Sequence, residues 1–245
     1  MTGMTAEPMA LTSAITIDAA VAAARPSTTQ PWTRTAGRRA SIAAYAATKR
    51  ALDIFVAATL LLLLLPVFAI IALAILREAG GPVFYCAERV GRFGRTFCVV
   101  KFRSMRTGCD QAAHAAFVKS LMQGSTCSVY KVPDDPRITK VGAFLRRTSL
   151  DELPQLWNVL RGEMSLVGPR PDVPYAVAEY PDWIHGRLAV QPGITGLWQV
   201  SGRSRLSLLD MYRLDVAYAA HPSLSQDLRI LLRTIPVVLG RDGAA

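Results

Sequence analysis

The chain is poor in the residues that build metal and redox sites. Its four cysteines, Cys86, Cys98, Cys109 and Cys127, form no C-x-x-C pair. That spacing argues against a zinc site or a dithiol centre and leaves free thiols as the simplest expectation. Histidine is scarce at three residues; His114 reads as a surface residue and His185 as structural rather than as a ligand. Acidic residues are outnumbered, 18 Asp+Glu against 28 Lys+Arg, for a net charge of +10. Such an excess suits anionic headgroups, nucleotide phosphates or nucleic acid, yet no recognisable nucleic-acid motif accompanies it. The first residues carry no positive charge and Asp18 interrupts the one weakly apolar stretch there, so no signal peptide is expected. Residues 1–48, rich in Ala, Thr and Ser without a hydrophobic period, read as a disordered tail.

What the sequence does have is one long apolar run in a chain that is 51% apolar overall. Ile54 to Leu76 carries no charge, and clears the roughly 18 residues expected of a membrane helix. Straight, it would extend about 34 Å at ~1.5 Å per residue. Pro66 sits near its centre and denies the Leu62 carbonyl its partner. A kinked spanning helix and a re-entrant hairpin both follow from this. Lys49-Arg50 on one flank and Arg77 on the other are basic, which favours both ends on the cytoplasmic side and thus the re-entrant form. Arg34, Arg38 and Arg39, ahead of the run, suit anionic headgroups.

Beyond Gly80-Gly81-Pro82, the runs Val83–Ala87 and Thr96–Lys101 flank a turn rich in Gly and Arg and predict a β-hairpin. Lys101 and Arg103 fall on one side of the second strand. Residues 107–140 are polar and mixed, with a turn at Asp134–Pro136, and read as a variable excursion. Phe144–Arg147 then leads into the densest stretch, Ser149–Pro171.

There, Leu153, Leu156, Trp157 and Leu160 fall at helical spacing. Pro154 is tolerated only in a first turn, which predicts a helix start between Thr148 and Asp151. Asp151 and Glu152 would then lie at a helix N-terminus, where exposed N–H groups favour anions. Ser149-x-x-Glu152 also matches a capping box, so ordinary capping is an equally physical reading. Gly168-Pro169-Arg170-Pro171 brackets an arginine between two fixed φ angles, a stiffness suited to bidentate phosphate recognition.

Tyr175–Leu188 reads as a helix broken by Pro181, and Pro192–Gly196 as a loop whose glycines serve a tight turn or backbone approach to a ligand. Leu206–Ala220 reads as a helix carrying Asp210 and Asp215. Leu224–Leu239, with Arg229, Arg233 and Arg241 nearby, is amphipathic and suits either the headgroup plane or a packed core.

The stretch SLDELPQLWNVLRGEMSLVGPRP resembles the signature of the bacterial sugar transferases, monotopic polyprenyl-phosphate phosphoglycosyl transferases of the exopolysaccharide-initiating type. KFRSM (Lys101–Met105), QPGITGLWQVSGR (Gln191–Arg203) and LDVAY (Leu214–Tyr218) extend the likeness from about Tyr45 to about Leu239. The resemblance implies an α+β, mostly α fold. A membrane-inserted re-entrant hairpin (49–79, broken at Pro66) would carry a compact catalytic domain (80–245) with a small β-hairpin and interfacial amphipathic helices. Relatives often place Ser before the proline; here it is Leu65.

The implied reaction passes a sugar-1-phosphate from a UDP-sugar to undecaprenyl phosphate. Asp151 would be the nucleophile, UMP the leaving group, and Glu152 the holder of Mg²⁺ or Mn²⁺. Arg170, Arg146, Lys101 and Arg103 would contact phosphate, with Asp215 a further site carboxylate. An aspartate is already ionised at neutral pH, and an acyl phosphate is a good phosphoryl donor. The expected partners are UDP-sugar, undecaprenyl phosphate and membrane lipid, not nucleic acid, at the cytoplasmic face of the bacterial inner membrane. Which sugar is moved stays open, as does oligomeric state, a homo-oligomer included. A non-catalytic, membrane-anchored assembly partner is the alternative, opposed by the intact Asp-Glu pair.

Overall fold

The computed structural model describes residues 36–106 and 137–240. The readings given for His114, Cys109, Cys127, Arg34, Arg241, the Asp134–Pro136 turn and residues 107–136 lie outside the described residues. So does the reading of 1–35 as tail.

Two helices open the described chain. The first, α1 (Ala36–Leu63), starts upstream of the expected boundary, so that 36–48 continue it. The second, α2 (Leu65–Ala79), follows after a single residue, Leu64, at φ −91° and ψ 2°. Pro66 stands in the first turn of α2, where a missing N–H leaves no intrahelical bond unmade. The two axes are bent by 60°. That bend forms with Leu65 before the proline, so no serine hydroxyl is needed for it. No single helix among the described residues is long and apolar enough to cross a membrane; the bent pair is, taken together. Phe55, Leu62, Leu63, Leu65 and Ile70 are exposed around the bend, whereas Ala57, Ile71 and Ile75 are buried.

The hairpin appears as expected. Strands β1 (Phe84–Val90) and β2 (Thr96–Phe102) pair antiparallel with Tyr85 opposite Lys101. Cys86 and Cys98, expected as free thiols, are joined in a disulfide with their Cα atoms 5.4 Å apart. The register explains this: Cys86 opposes Val100 and Cys98 opposes Glu88, which makes the two cysteines diagonal neighbours on one face.

Next come α3 (Lys140–Thr148), a 3₁₀ turn (Leu150–Glu152) and α4 (Gln155–Arg161). The short strand β3 (Ser165–Val167) pairs in parallel with β4 (Gly193–Thr195). Between these strands lie α5 (Pro174–Ala178) and a 3₁₀ segment (Asp182–Ala189), the predicted Pro181 break separating them. The chain closes with α6 (Leu197–Ser201), α7 (Leu208–Ala220) and α8 (Leu224–Leu239). The architecture is α+β and mostly helical.

One apolar core joins Val99 of β2, Leu156 and Val159 of α4, Leu166 and Val167 of β3, Tyr218 of α7 and Ile230 of α8. A second joins Ile71 and Ile75 of α2 to Phe102 and Leu145. Polar ties on either side of the apolar run fix the bent pair to this unit. From the middle of α1, Arg50 donates to the carbonyls of Val159 (2.5 Å) and Leu160 (2.7 Å) at the end of α4. Asp53 accepts from Leu166 N–H, and Lys49 pairs with the buried Asp227 at 2.9 Å. At the α2 end, Glu78 accepts from the N–H groups of Lys140 (2.7 Å) and Val141 (2.8 Å), capping α3. The exposed apolar side of α8 carries Leu228, Leu232, Ile235 and Val238.

Candidate active site

The Asp-Glu pair does not sit in an α-helical first turn. Ser149, the cap of α3, takes the left-handed conformation at φ 57°, a costly one for a residue with a Cβ. It turns the chain abruptly into the 3₁₀ turn that holds Asp151 and Glu152. Helix α4 begins only at Gln155, with Pro154 as its cap residue. The early start predicted from Pro154 is thereby corrected: the proline precedes the helix. The capping box is also absent, since the Ser149 side chain caps nothing.

Glu152 reaches across to β2 and the Gly168–Pro171 loop instead. Lys101 Nζ donates to Oε1 at 2.8 Å. Arg170 grips the same carboxylate with both arms of its fork, Nη1 to Oε2 at 3.0 Å and Nη2 to Oε1. Burial opposes the charge on Glu152, but the Arg170 guanidinium and the Lys101 ammonium outweigh it and hold the carboxyl well below the usual range. Asp151 differs in its hydrogen bonding and in the direction of its shift. It accepts no hydrogen bond from a described residue, and burial, reinforced by the negative Glu152, raises its pKa. Lys101, Arg170 and Arg146 pull the other way from around it. Two carboxylates adjacent in sequence, sharing the same cations, are thus shifted in opposite directions, a common arrangement where one acts and the other holds.

The remaining candidates divide. Arg146, in the last turn of α3, joins Asp151, Lys101 and Arg170. Arg103 does not. It is buried, and its guanidinium donates to the carbonyls of Ala79 (2.6 Å), Gly80 (2.8 Å) and Gly81 (2.7 Å), at the end of α2. Strand alternation does put Lys101 and Arg103 on one face, but the chain leaves β2 at Phe102 and takes Arg103 to a helix end. Asp215 is buried and pairs with Arg187, Nη2 to Oδ2 at 2.6 Å. Burial pushes its carboxyl up to about 6, with Arg187 pulling against that rise. Its hydrogen-bonded link to the site runs through Arg187, whose Nη2 also donates to the Arg170 carbonyl at 2.5 Å.

The loop that presents Arg170 is packed backbone on backbone. Gly168 N–H donates to Thr195 O and Gly193 N–H to Pro169 O, each at 2.9 Å. A Cβ on Gly168 would lie 2.3 Å from Gln191 O, and one on Gly193 2.1 Å from Gly168 N. The glycines of GPRP and QPGITG therefore serve each other's close approach rather than a tight turn alone.

Sequence reasoning missed several supports. Asn158 bridges α4 to β2, accepting from Val100 N–H and donating to Cys98 O. Asp172 accepts from the hydroxyls of Tyr180 and Tyr212. Arg187 pairs with Asp215 inside the same cage. A lone Asn in a helix or Arg in an irregular segment carries no periodic signal that would mark it as buried.

A family model for "Bacterial sugar transferase" matches residues 44–241. Among similar proteins, the chain is 44% identical over 197 residues to a "UDP-galactose-lipid carrier transferase" of Erwinia amylovora, covering 80% of this chain and 41% of that one. It is 40% identical over 205 residues to a "UDP-glucose:undecaprenyl-phosphate glucose-1-phosphate transferase" of Caulobacter vibrioides, covering 80% and 71%. To the "Exopolysaccharide production protein ExoY" of Sinorhizobium fredii it is 40% identical over 191 residues, covering 78% and 84%. The chain spans less than half the length of several of the curated relatives it matches.

Proposed function

The chain belongs to the bacterial sugar transferase family, and from that premise we propose that it moves a hexose-1-phosphate from a UDP-sugar to undecaprenyl phosphate. The observation that carries this reading is the asymmetry of the Asp-Glu pair: Glu152 clamped by two cations, Asp151 accepting no hydrogen bond from a described residue. The names of the relatives divide between galactose and glucose, which supports a hexose without choosing one.

In the first step an Asp151 carboxylate oxygen attacks the phosphorus that bears the sugar. The bond from that phosphorus to the oxygen bridging it to UMP breaks, and UMP leaves with the electron pair. In the second step a phosphate oxygen of undecaprenyl phosphate attacks the same phosphorus, and the acyl-phosphate P–O bond breaks to restore the Asp151 carboxylate. One anhydride is exchanged for another, so no further energy source is needed. Desolvation, with no hydrogen-bond donor among the described residues, keeps the Asp151 lone pairs available, which supports its role as nucleophile. Arg170, Lys101 and Arg146 form a preorganised cationic wall where phosphate charge gathers.

The residues also fit a divalent cation. Each carboxylate oxygen offers two lone pairs. Oε1 of Glu152 uses both on Lys101 and Arg170, while Oε2 uses one on Arg170 and, among the described residues, keeps the other. Mg²⁺ or Mn²⁺ held there would take its other ligands from substrate phosphates and water, and would screen the pyrophosphate charge. Among the described residues no cluster of three His, Cys, Asp or Glu side chains offers a fuller cage.

The bent helix pair supports a re-entrant membrane element at the cytoplasmic face. A spanning segment has its flanks on opposite sides, whereas here Lys49, Arg50 and Asp53, just ahead of the apolar run, and Glu78, just beyond it, bind the same folded unit. With a bend of 60° shared equally, a 15-residue arm of about 22 Å would descend roughly 11 Å, about a third of the hydrocarbon core. The exposed apolar side of α8, joined to α1 through Asp227, suits the headgroup plane beside it.

The test is UMP release from a panel of UDP-sugars by the full chain in detergent with Mg²⁺. Release with one sugar, dependent on undecaprenyl phosphate and abolished in Asp151→Asn, is the expected result. Silence across the panel from folded protein would overturn the reading.

A further inference from the structure

The prolines on either side of Arg170 stiffen it, but they also strip the loop of two backbone donors. Apart from Gly168 N–H, which donates to Thr195 O, the loop is held by its acceptors. Pro169 O receives Gly193 N–H (2.9 Å), and Asp172 O receives Val90 N–H (2.8 Å). At Arg170 itself the holding donor is a side chain, Nη2 of Arg187, at 2.5 Å. Arg187 is 3% exposed and its guanidinium is almost fully engaged. Nε donates to Asp215 Oδ2 (3.2 Å), Nη2 to the same oxygen (2.6 Å), and Nη1 to the Tyr180 hydroxyl. Asp172 Oδ2 lies 3.7 Å from Nη1, and the Tyr212 ring stands 4.9 Å from the guanidinium carbon. Four of its five N–H donors are thereby taken.

We propose that Arg187 is a positioning residue that fixes the Arg170 backbone, and with it the pose in which Arg170 grips Glu152 and phosphate, acting through Arg170 without touching substrate. The inference rests on the transferase reading above. Asp215 and Tyr180 hold Arg187 in turn, which gives Asp215 a role one step removed from the chemistry. A lysine in place of Arg187 keeps the charge, but its single ammonium lacks the planar fork that serves Asp215 and the Arg170 carbonyl together.

The experiment compares wild type, Arg187→Lys, Arg170→Lys and the double variant as full chains in detergent. UDP binding is read by calorimetry and UMP release by steady-state kinetics. Arg187→Lys is expected to weaken UDP binding about tenfold and to lower kcat on the order of 100-fold, the scale of a misplaced catalytic group. In the Arg170→Lys background it should add less than about threefold to either, since residues that act as one unit are not additive. Tyr180→Phe, which loses one contact and spares the ion pair, should give a smaller loss with the same dependence on Arg170. It decides the matter if Arg187→Lys does not fold. Equal fold-losses in both backgrounds would mean Arg187 acts independently and would overturn the proposal, as would wild-type behaviour of Arg187→Lys. Wild type that binds UDP but releases no UMP would defeat the transferase reading, and the binding cycle would still decide Arg187.

Discussion

Replacing the two adjacent carboxylates by their amides should have opposite effects on stability. In Glu152→Gln the side chain keeps its shape, but every orientation of the amide turns an N–H toward a cationic donor. Hydrogen bonds to charged groups are worth about 1.5–3 kcal/mol each. Lys101 Nζ and Arg170 Nη2 share one carboxylate oxygen. They therefore lie roughly 5 Å apart and repel by about 3 kcal/mol at an effective dielectric near 20. Their side chains are 21% and 34% exposed, and solvent screening cuts that repulsion to ~1 kcal/mol. A net loss of about 2–3 kcal/mol follows, or roughly 5–10 °C in melting temperature for a chain of this size. Asp151→Asn should do the reverse. Its carboxylate has no described hydrogen-bond partner, and burial and Glu152 raise its pKa, so the folded state is penalised whenever that group is charged. A neutral isostere relieves the penalty and should melt at or above wild type while releasing no UMP. Thermal melts in one detergent, run beside UMP release, check both. The reasoning fails if Glu152→Gln melts within about 1 °C of wild type, or if Asp151→Asn falls as far as Glu152→Gln.

Further outcomes follow from the same geometry. UMP release should decline in acid with a midpoint above the 3.8 of an ordinary aspartate, because the raised Asp151 group takes up its proton early; a pH–rate profile over permissive pH checks it. Glu152 is depressed, so its stabilisation is present above its ordinary 4.5 and is lost only as pH falls through its lowered pKa; the acid slope of the melting temperature should flatten in Glu152→Gln. In sealed inverted vesicles, cysteines introduced at Ala47 and at Arg77, exposed on either side of the apolar run, should both react with an impermeant thiol reagent. Labelling of only one would establish a span. Leu232→Glu, on the exposed side of α8, should weaken vesicle flotation of the chain about tenfold, with unchanged UMP release in detergent.

Where the sequence was informative, the reason was periodicity or punctuation. The hairpin was legible from two β-prone runs around Gly91 and Gly94, and α8 from apolar residues at helical spacing through Leu224–Leu239. Pro66 marked the break, and the observed one lies within two residues of it. Local rules failed where tertiary contacts decided. Ser149 and Glu152 match a capping box, but Lys101 and Arg170 offer Glu152 a stronger, charge-assisted pairing. The three-residue strands β3 and β4 are too short for alternation to show, and they exist because Gly168 and Gly193 let two backbones touch. Arg103 followed strand alternation on paper and a helix end in space. Arg187 has no sequence signature, since what makes it matter is a buried cage contributed by Asp172, Tyr180 and Asp215.

The central claim is that Asp151 carries the phospho-sugar, and intact-protein mass spectrometry tests it most directly. Wild type mixed with the active UDP-sugar and Mg²⁺ in the absence of undecaprenyl phosphate, then quenched in acid, should gain the mass of one sugar phosphate. Peptide mapping should place it on Asp151, hydroxylamine or added undecaprenyl phosphate should remove it, and Asp151→Asn should never acquire it. Full turnover by Asp151→Asn, or an adduct mapped to another side chain, would contradict the account.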